Sequence, residues 1–338
     1  MKRIIFSRPD RVGDVIITSA CAPLIKAIYP DVSLCLLSKP DMIPLFSGGC
    51  QFQEFISWTG EENPEFLKER MSDFRADAIL HFHPHREVQQ ASMEAEIPRR
   101  YGFESPFARE TLTHIIPYRK SEGKHHEAEY CRELLVSAFG ENTPELMGYN
   151  ISIDPQYRDS LRQKMPPNYS FKNCVVINPT TARLDLRWPA ERFAKLAQSL
   201  VDLGKKIIVI GHPETDPALR LMRQRCLHLR DNFLDLGGKL NLAETAFLLQ
   251  QSGLHISRDT GTSHLAAAVD CPQIVIMARL EGEFGPTRWA PLGKRGVVVA
   301  TRAKKRWYET KRQFWRRSFR SIETKRVLEA ARCELEKD

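Results

Sequence analysis

The sequence predicts an α/β protein of two doubly wound domains, each a parallel sheet with helices on both faces. Three observations predict it. Short β-branched runs alternate with stretches of helical period. The alternation restarts once, after a Pro-rich stretch marked by Pro155, Pro166 and Pro167. A chain of 338 residues, 42% of them hydrophobic, supplies enough apolar surface for two cores.

Taken in order, strands are expected at 3–7, 32–38, 52–58 and 78–83, with helices at 19–29, 64–74 and 125–139. After the restart, strands are expected at 174–178, 206–211, 254–257, 273–277 and 297–300. Helices fall between them, at 190–203, 215–226, 242–251 and 262–269. Strands alternating with helices call for parallel sheets covered on both faces. The expected domains are 1–165 and 166–300. Residues 301–338 form a basic, aromatic helical segment expected to pack back on the first domain. Ligands of open α/β sheets bind beyond the carboxyl ends of the strands, so two such domains facing each other make a cleft.

The net charge is +8, from 50 Lys and Arg against 42 Asp and Glu. A basic chain suits nucleic acid, an anionic membrane or a phosphorylated substrate. Residues 302–320 hold nine basic residues and one acid, Glu309. That segment alone accounts for the +8, and the body of the chain is neutral. Bulk charge therefore gives no argument for nucleic acid, which is not an expected partner. The same segment carries Trp307, Tyr308, Phe314, Trp315 and Phe319 among Arg306, Arg316 and its other cations. Such a pattern suits an anionic membrane interface, or a helix that packs its aromatics and exposes its charges. The two readings are compatible.

The eight cysteines show neither a C-x-x-C pair nor metal-ligand spacing, and several lie in apolar runs. The N-terminus breaks its apolar core with charges too early for a signal peptide. No run reaches bilayer-spanning length. A cytoplasmic protein is expected, touching the membrane from that side. His81, His83 and His85 alternate, but no acid or Cys stands at a companion spacing, and no metal is expected.

Three loops after strands carry the chemistry. The first is Arg8-Pro-Asp-Arg-Val-Gly-Asp14, where Gly13 allows close backbone approach. Asp14 then sits near a helix N-terminus, either as a cap or as a general base. The second is Asp259-Thr260-Gly261-Thr262-Ser263-His264, whose small and hydroxylated residues open a helix. Its backbone N–H groups and dipole suit a diphosphate. The third runs from Asn178 to Pro189 and holds Thr180, Thr181, Arg183 and Arg187, hydroxyls beside arginines that fork onto phosphate oxygens. Glu214, in Gly211-His-Pro-Glu214, stands where a ribose diol is bound in dinucleotide sites.

In order and spacing these runs resemble glycosyltransferase family 9, the bacterial lipopolysaccharide heptosyltransferases. The matching runs are Val-Gly-Asp-Val-Ile-Ile-Thr, Asn-Pro-Thr-Thr…Arg-Trp-Pro, Gly-His-Pro-Glu and Asp-Thr-Gly-Thr-Ser-His-Leu-Ala-Ala-Ala, and the likeness covers nearly the whole chain. It implies a GT-B fold, with acceptor on the first Rossmann-like domain and nucleotide-sugar on the second. It implies inverting, metal-independent transfer of a heptose from ADP-heptose to an anionic, lipid-linked inner-core acceptor, with no cofactor. The family's base falls on Asp14. Its donor-sugar aspartate falls on Asp259, with Thr260, Gly261, Thr262, Ser263 and His264 at the diphosphate and sugar. Glu214 falls at the ribose and Leu240 beside the adenine. Gly13, Arg99, Arg100 and Lys124 are the expected acceptor side. One position departs: Leu186 stands where the family commonly has a lysine, so Arg183 or Arg187 is expected to supply that cation. Another nucleotide-sugar donor, or a non-catalytic module for an anionic glycolipid or nucleic acid, are the competing functions.

Overall fold

The computed structural model describes every residue except Cys50, 120–122, Asn168, Lys172, 182–186, 281–283, Lys294, Arg302 and Asp338. The chain divides into two compact units, Met1–Pro155 and Gln156–Asp338. Each is built on a six-stranded parallel sheet.

In the first unit the strands are β1 (Arg3–Ser7), β2 (Ser33–Ser38), β3 (Glu54–Ser57), β4 (Ala78–His81), β5 (Arg99–Phe103) and β6 (His114–Ile116). Their spatial order is β3-β2-β1-β4-β5-β6. This is the Rossmann order, and it reverses direction between β1 and β4. The central strands are buried on both faces, as their near-continuous apolar runs require. Sequence reading did not find β5 and β6. The run Arg-Arg-Tyr-Gly-Phe hides β5 behind two charges and a glycine, and β6 is a three-residue edge strand.

In the second unit the strands are β7 (Cys174–Asn178), β8 (Lys206–Val209), β9 (Phe233–Asp235), β10 (Leu254–Arg258), β11 (Gln273–Met277) and β12 (Gly296–Ala300). The order β12-β11-β10-β7-β8-β9 repeats the Rossmann pattern, with its reversal between β7 and β10. Right-handed crossovers then place the helices Ala190–Val201 and Pro217–Cys226 on one face. The helices Leu242–Gln251 and Gly261–Ala268 lie on the other. On the first face Trp188, Phe193 and Leu219 pack on Val175, Ile177 and Ile256.

Two boundaries differ from the sequence expectation. The first unit ends at Pro155, not at 165. The helix Gln156–Gln163 belongs to the second unit because Leu161 is buried there and Ser160 and Lys164 bond to Glu244 at 2.5 and 2.7 Å. The C-terminal helices Lys311–Ser321 and Thr324–Leu335 pack into the core of the second unit. Phe314, Trp315, Phe319, Ile322 and Val327 join that core, and Trp188 Nε1 donates to the Ile322 carbonyl at 2.8 Å. The expected packing of 301–338 on the first domain gives way to this burial, which hides five large apolar side chains at about 1.5–3 kcal/mol each. No helix among the described residues is long and apolar enough to cross a membrane.

Candidate active site

Each sheet places a polar constellation at its topological switch point, on the carboxyl edge. In the first unit it is organised by Arg8, the residue after β1. Its guanidinium is buried and reaches across the switch point: Nη1 donates to the Phe82 carbonyl, just past β4, at 2.7 Å. Nη2 donates to Asp14 Oδ1 at 2.6 Å, and Nε donates to Asp10 Oδ1 at 2.8 Å. Glu127, first residue of the helix Glu127–Phe139, lies 3.7 Å from Nη2. One guanidinium thus faces three carboxylates. Sequence reading missed Arg8 and Glu127. The signal for Arg8 was an arginine closing an apolar strand, but its third carboxylate lies more than a hundred residues away.

Asp14 occupies the first turn of the helix Val12–Ser19, where the dipole favours a carboxylate. It is not that helix's cap: the capping position is Arg11, and no side chain caps there. Burial pushes the Asp14 carboxyl above the usual carboxylate range. Arg8 pulls it back, while Asp10 and Glu127 push it up again. Burial also opposes the Arg8 charge, but the acids around it hold its pKa above the ordinary arginine value.

The other first-unit candidates separate. Gly13 lies half-buried beside Asp14. Lys124 is exposed, three residues before Glu127. Arg99 and Arg100 begin β5, at the amino edge, level with Ile4 and Ala78 and so away from Asp14. Arg100 donates to the carbonyls of Thr111 and Ile97 at 2.7 and 2.6 Å, which makes it a clamp on β5 and its return loop. The three alternate histidines do not converge. His81 is buried against Ser92, and burial lowers its pKa to about 3. His83 lies 3.7 Å from Asp10, and His85 lies 2.9 Å from Glu87. No group of three His, Cys, Asp or Glu among the described residues is arranged to hold a metal.

In the second unit Asn178 ends β7 and ties the switch point together. Its Oδ1 accepts from Thr180 N and Oγ1 at 3.0 and 2.8 Å, and its Nδ2 donates to Thr262 Oγ1 at 2.9 Å. Thr262 Oγ1 also lies 3.0 Å from Thr260 Oγ1 and 3.3 Å from His255 Nε2. Burial lowers the His255 pKa to about 4, so the ring is neutral at pH 7. Ser263 is fully buried and braces the loop, donating to the Thr260 carbonyl at 2.7 Å. His264 is buried with Nε2 3.8 Å from Asp259, and Gly261 begins the helix. Residues 259–264 therefore converge, with Thr180 and Ser263 serving as supports.

Of the expected cations, Arg183 lies outside the described residues, as does Leu186. Arg187 pairs with Asp216 Oδ1 at 3.3 Å, at the N-cap of the helix Pro217–Cys226. The cation beside Thr181 is Arg258, which sequence reading passed over. It donates to Thr181 Oγ1 at 2.9 Å and lies over the Phe319 ring at 4.5 Å. The C-terminal helix thus supports a side chain of the site.

Two glycines let the loops meet. Gly211 has φ +142, and a Cβ there would fall 2.5 Å from the Thr180 methyl. Gly238 has φ +78, and a Cβ there would fall 2.4 Å from Glu214 Cβ. The second contact brings the loop of Leu240 against Glu214. Glu214 itself is exposed, and its carbonyl accepts from Arg223 at 3.0 Å.

The model of glycosyltransferase family 9 (heptosyltransferase) matches residues 69–314. Lipopolysaccharide heptosyltransferase 3 of Escherichia coli is 22% identical over 331 residues, covering 93% of this chain and 88% of that one. Among solved structures, the E. coli ADP-heptose lipopolysaccharide heptosyltransferase II superposes with a TM-score of 0.83 at 18% identity, covering 100% of this chain and 99% of that one. An E. coli heptosyltransferase with ADP-2-deoxy-2-fluoro heptose gives 0.66 at 20% identity, covering 97% and 99%. The fold is accordingly that of the GT-B transferases, as expected. With the family model spanning most of both units, the chain belongs to glycosyltransferase family 9, the heptosyltransferases.

Proposed function

We propose that this glycosyltransferase moves a heptose from ADP-heptose to an anionic, lipid-linked saccharide of the lipopolysaccharide inner core, with inversion and without a metal. The observation that carries the reading is the buried Arg8–Asp14 pair at the first switch point. A carboxylate there, with its pKa raised by burial, is a stronger base than one in water. Arg8 holds Oδ1, and Oδ2 takes the proton of the acceptor hydroxyl. That oxygen forms its bond to the anomeric carbon as the carbon–phosphate oxygen bond breaks. ADP leaves with the electron pair.

The leaving diphosphate gathers negative charge. The N-terminus of the helix Gly261–Ala268, the Thr181 and Thr262 hydroxyls and Arg258 offset it. Asp259 and His264 contact the sugar, Glu214 the ribose, and Leu240 borders the adenine. The structure of a relative with a fluorinated ADP-heptose supports the donor class. Gly13, beside Asp14, and Lys124, three residues before Glu127, are the retained acceptor contacts.

The direct test is release of ADP from ADP-heptose. We expect turnover that depends on a lipid-linked core acceptor, with UDP- and GDP-sugars turned over at least tenfold more slowly. Equal turnover of another nucleotide-sugar would replace the donor. Binding of the acceptor without any turnover would make the chain a non-catalytic module.

The same reading includes peripheral contact with an anionic membrane from the cytoplasmic side. The aromatics of the basic segment divide into two sets. Phe314, Trp315 and Phe319 are buried, whereas Trp307 is 93% exposed and Tyr308 59% exposed. Glu309 accepts from Arg317 Nε and Nη2 at 2.6 and 2.8 Å, which fixes the turn that presents Trp307. Exposed Lys304, Lys305 and Arg306 flank it, and Arg316 is exposed on the helix beyond. An aromatic tip among cations fits the interface of an anionic bilayer. Trp307→Ala is expected to weaken binding to phosphatidylglycerol vesicles by about tenfold while leaving ADP binding unchanged. Unchanged vesicle binding would remove the tip from this role.

A further inference from the structure

The ribose loop and the adenine loop are separate in sequence, and one side chain ties them together. The ribose loop follows β8 and carries Gly211 and Glu214. The adenine loop follows β9 and carries Gly237, Gly238 and Leu240. β8 and β9 are parallel neighbours, so both loops leave the same edge of the sheet. The helix Pro217–Cys226 lies between the loops in the chain. Helix side chains lean toward the helix N-terminus, so a long one in the second turn reaches back to the preceding loop. Arg223 stands in that turn.

Its guanidinium bonds to both loops and to the strand end between them. Nη1 donates to the Glu214 carbonyl at 3.0 Å, and Nη2 donates to the Gly237 carbonyl at 3.2 Å. Nε donates to Asp235 Oδ2. Asp235 ends β9, and its Oδ1 accepts from Gly237 N at 2.9 Å. Nη2 also lies 3.8 Å from Glu214 Oε1. A planar fork of N–H groups serves such divergent acceptors at once, which an ammonium does not. The backbone closes the same joint, because Gly238 N donates to the Gly211 carbonyl at 2.8 Å. A Cβ on Gly237 would fall 2.8 Å from Leu219 Cδ1. Leu219 is one turn before Arg223 on the same helix face, so that face both packs on the adenine loop and bonds to it.

We infer that Arg223 is a positioning residue for the donor nucleotide, holding the ribose and adenine loops as one cradle before the donor arrives. The inference rests on the proposed assignment of Glu214 to the ribose and Leu240 to the adenine. Arg223 bonds to protein groups and acts through those two residues. Loops held beforehand do not pay their ordering cost on binding. The diphosphate groups stand at the ends of β7 and β10, apart from β9 in the strand order. Arg223 therefore supports the nucleoside half of the donor, equally in the ground state and the transition state. Uniform binding of that kind is read in KM and not in kcat.

The test joins calorimetric titration of the full chain with ADP to steady-state turnover of ADP-heptose. Arg223→Gln should raise the ADP Kd and the donor KM about tenfold, with kcat within about twofold of the parent. Arg223→Lys should fall between. Gly238→Ala approaches the joint from the loop side, where its methyl would press on Glu214, and should give the same split. Combined with Arg223→Gln it should cost less than it does alone, because the joint is already open. These two variants keep the test available should Arg223→Gln fail to fold. A variant that merely folds less well loses active protein, which lowers kcat and leaves KM and ADP Kd unchanged. That pattern, or an ADP affinity within about twofold of the parent, would overturn the inference. Glu214→Ala separates it from the assignment beneath it. If Glu214→Ala weakens ADP binding and the Arg223 variants do not, the clamp fails and the ribose assignment stands. If Glu214→Ala leaves ADP affinity unchanged, the ribose assignment fails and the clamp with it.

Discussion

Asp14→Asn is expected to lower turnover by roughly 100- to 10,000-fold, the range of general-base catalysis, with ADP affinity within about twofold of the parent. The separation follows from placement. Asp14 stands at the switch point of the first unit, and the nucleotide groups belong to the second. The variant should fold, because Arg8 keeps Asp10 at 2.8 Å and Glu127 at 3.7 Å as counter-charges. The pH profile gives an independent reading. The base works ionised, so kcat/KM is highest above the Asp14 pKa and falls as pH drops through it. Burial raises that pKa, so the acid limb should lie above the usual carboxylate range. In Asp14→Asn that limb should disappear. Near-normal turnover, or a profile that keeps its acid limb, would take the base role away from Asp14.

The central strands were legible because a strand buried on both faces reads as a continuous apolar run. The edges were not. β6 and β9 are three residues long and partly exposed, so they carry no such run. A helix at Asp14 was expected, but its extent, Val12–Ser19, was hidden for the opposite reason. Six of its eight residues are buried, and its Val, Ile and Thr content lacks the polar face that marks a surface helix. The domain boundary was ambiguous because prolines flank the helix Gln156–Gln163 on both sides. Leu161, the bonds to Glu244 and Arg158 over the Phe247 ring assign it to the second unit. In the C-terminal segment the signal was present. Thr310 with Gln313 three residues later is a capping box that starts the helix after Trp307 and Tyr308. It separates the exposed aromatics from the packed ones.

The site was legible as motifs and illegible as a network. Hydroxyls and carboxylates after strands mark where ligands bind. Which of them brace the loop and which face a ligand depends on partners distant in sequence. Thr180 and Ser263 are turned inward by Asn178 and by the Thr260 carbonyl. Arg258 is aimed by Phe319, and Arg187 pairs with Asp216. The usual lysine of the family is replaced by Leu186, and the sequence offered Arg183 and Arg187 as substitutes. The described geometry adds Arg258, which stands at the Thr181 hydroxyl.

Arg8→Met is expected to destabilise the first unit by about 3–5 kcal/mol, the cost of removing one partner from a buried charge cluster. The side chain is 3% exposed, so water does not replace what it provides. Its loss leaves the Phe82 carbonyl without its donor and brings Asp14, Asp10 and Glu127 together without the guanidinium that faces all three. Without Arg8, burial holds the folded Asp14 pKa further above its unfolded value, so folding favours its protonated form. The deficit is therefore full above that raised value and shrinks as pH falls through it. Urea midpoints for parent and variant at pH 8 and pH 5 measure this directly, and the gap should be wider at pH 8. Arg8→Lys should fall between the two, since an ammonium retains the charge but does not span Asp10, Asp14 and the Phe82 carbonyl at once. A deficit below about 1 kcal/mol at pH 8 would mean that the cluster is solvated and that burial does not set the Asp14 pKa. The raised base and the buried arginine are one arrangement, so that result would undermine both.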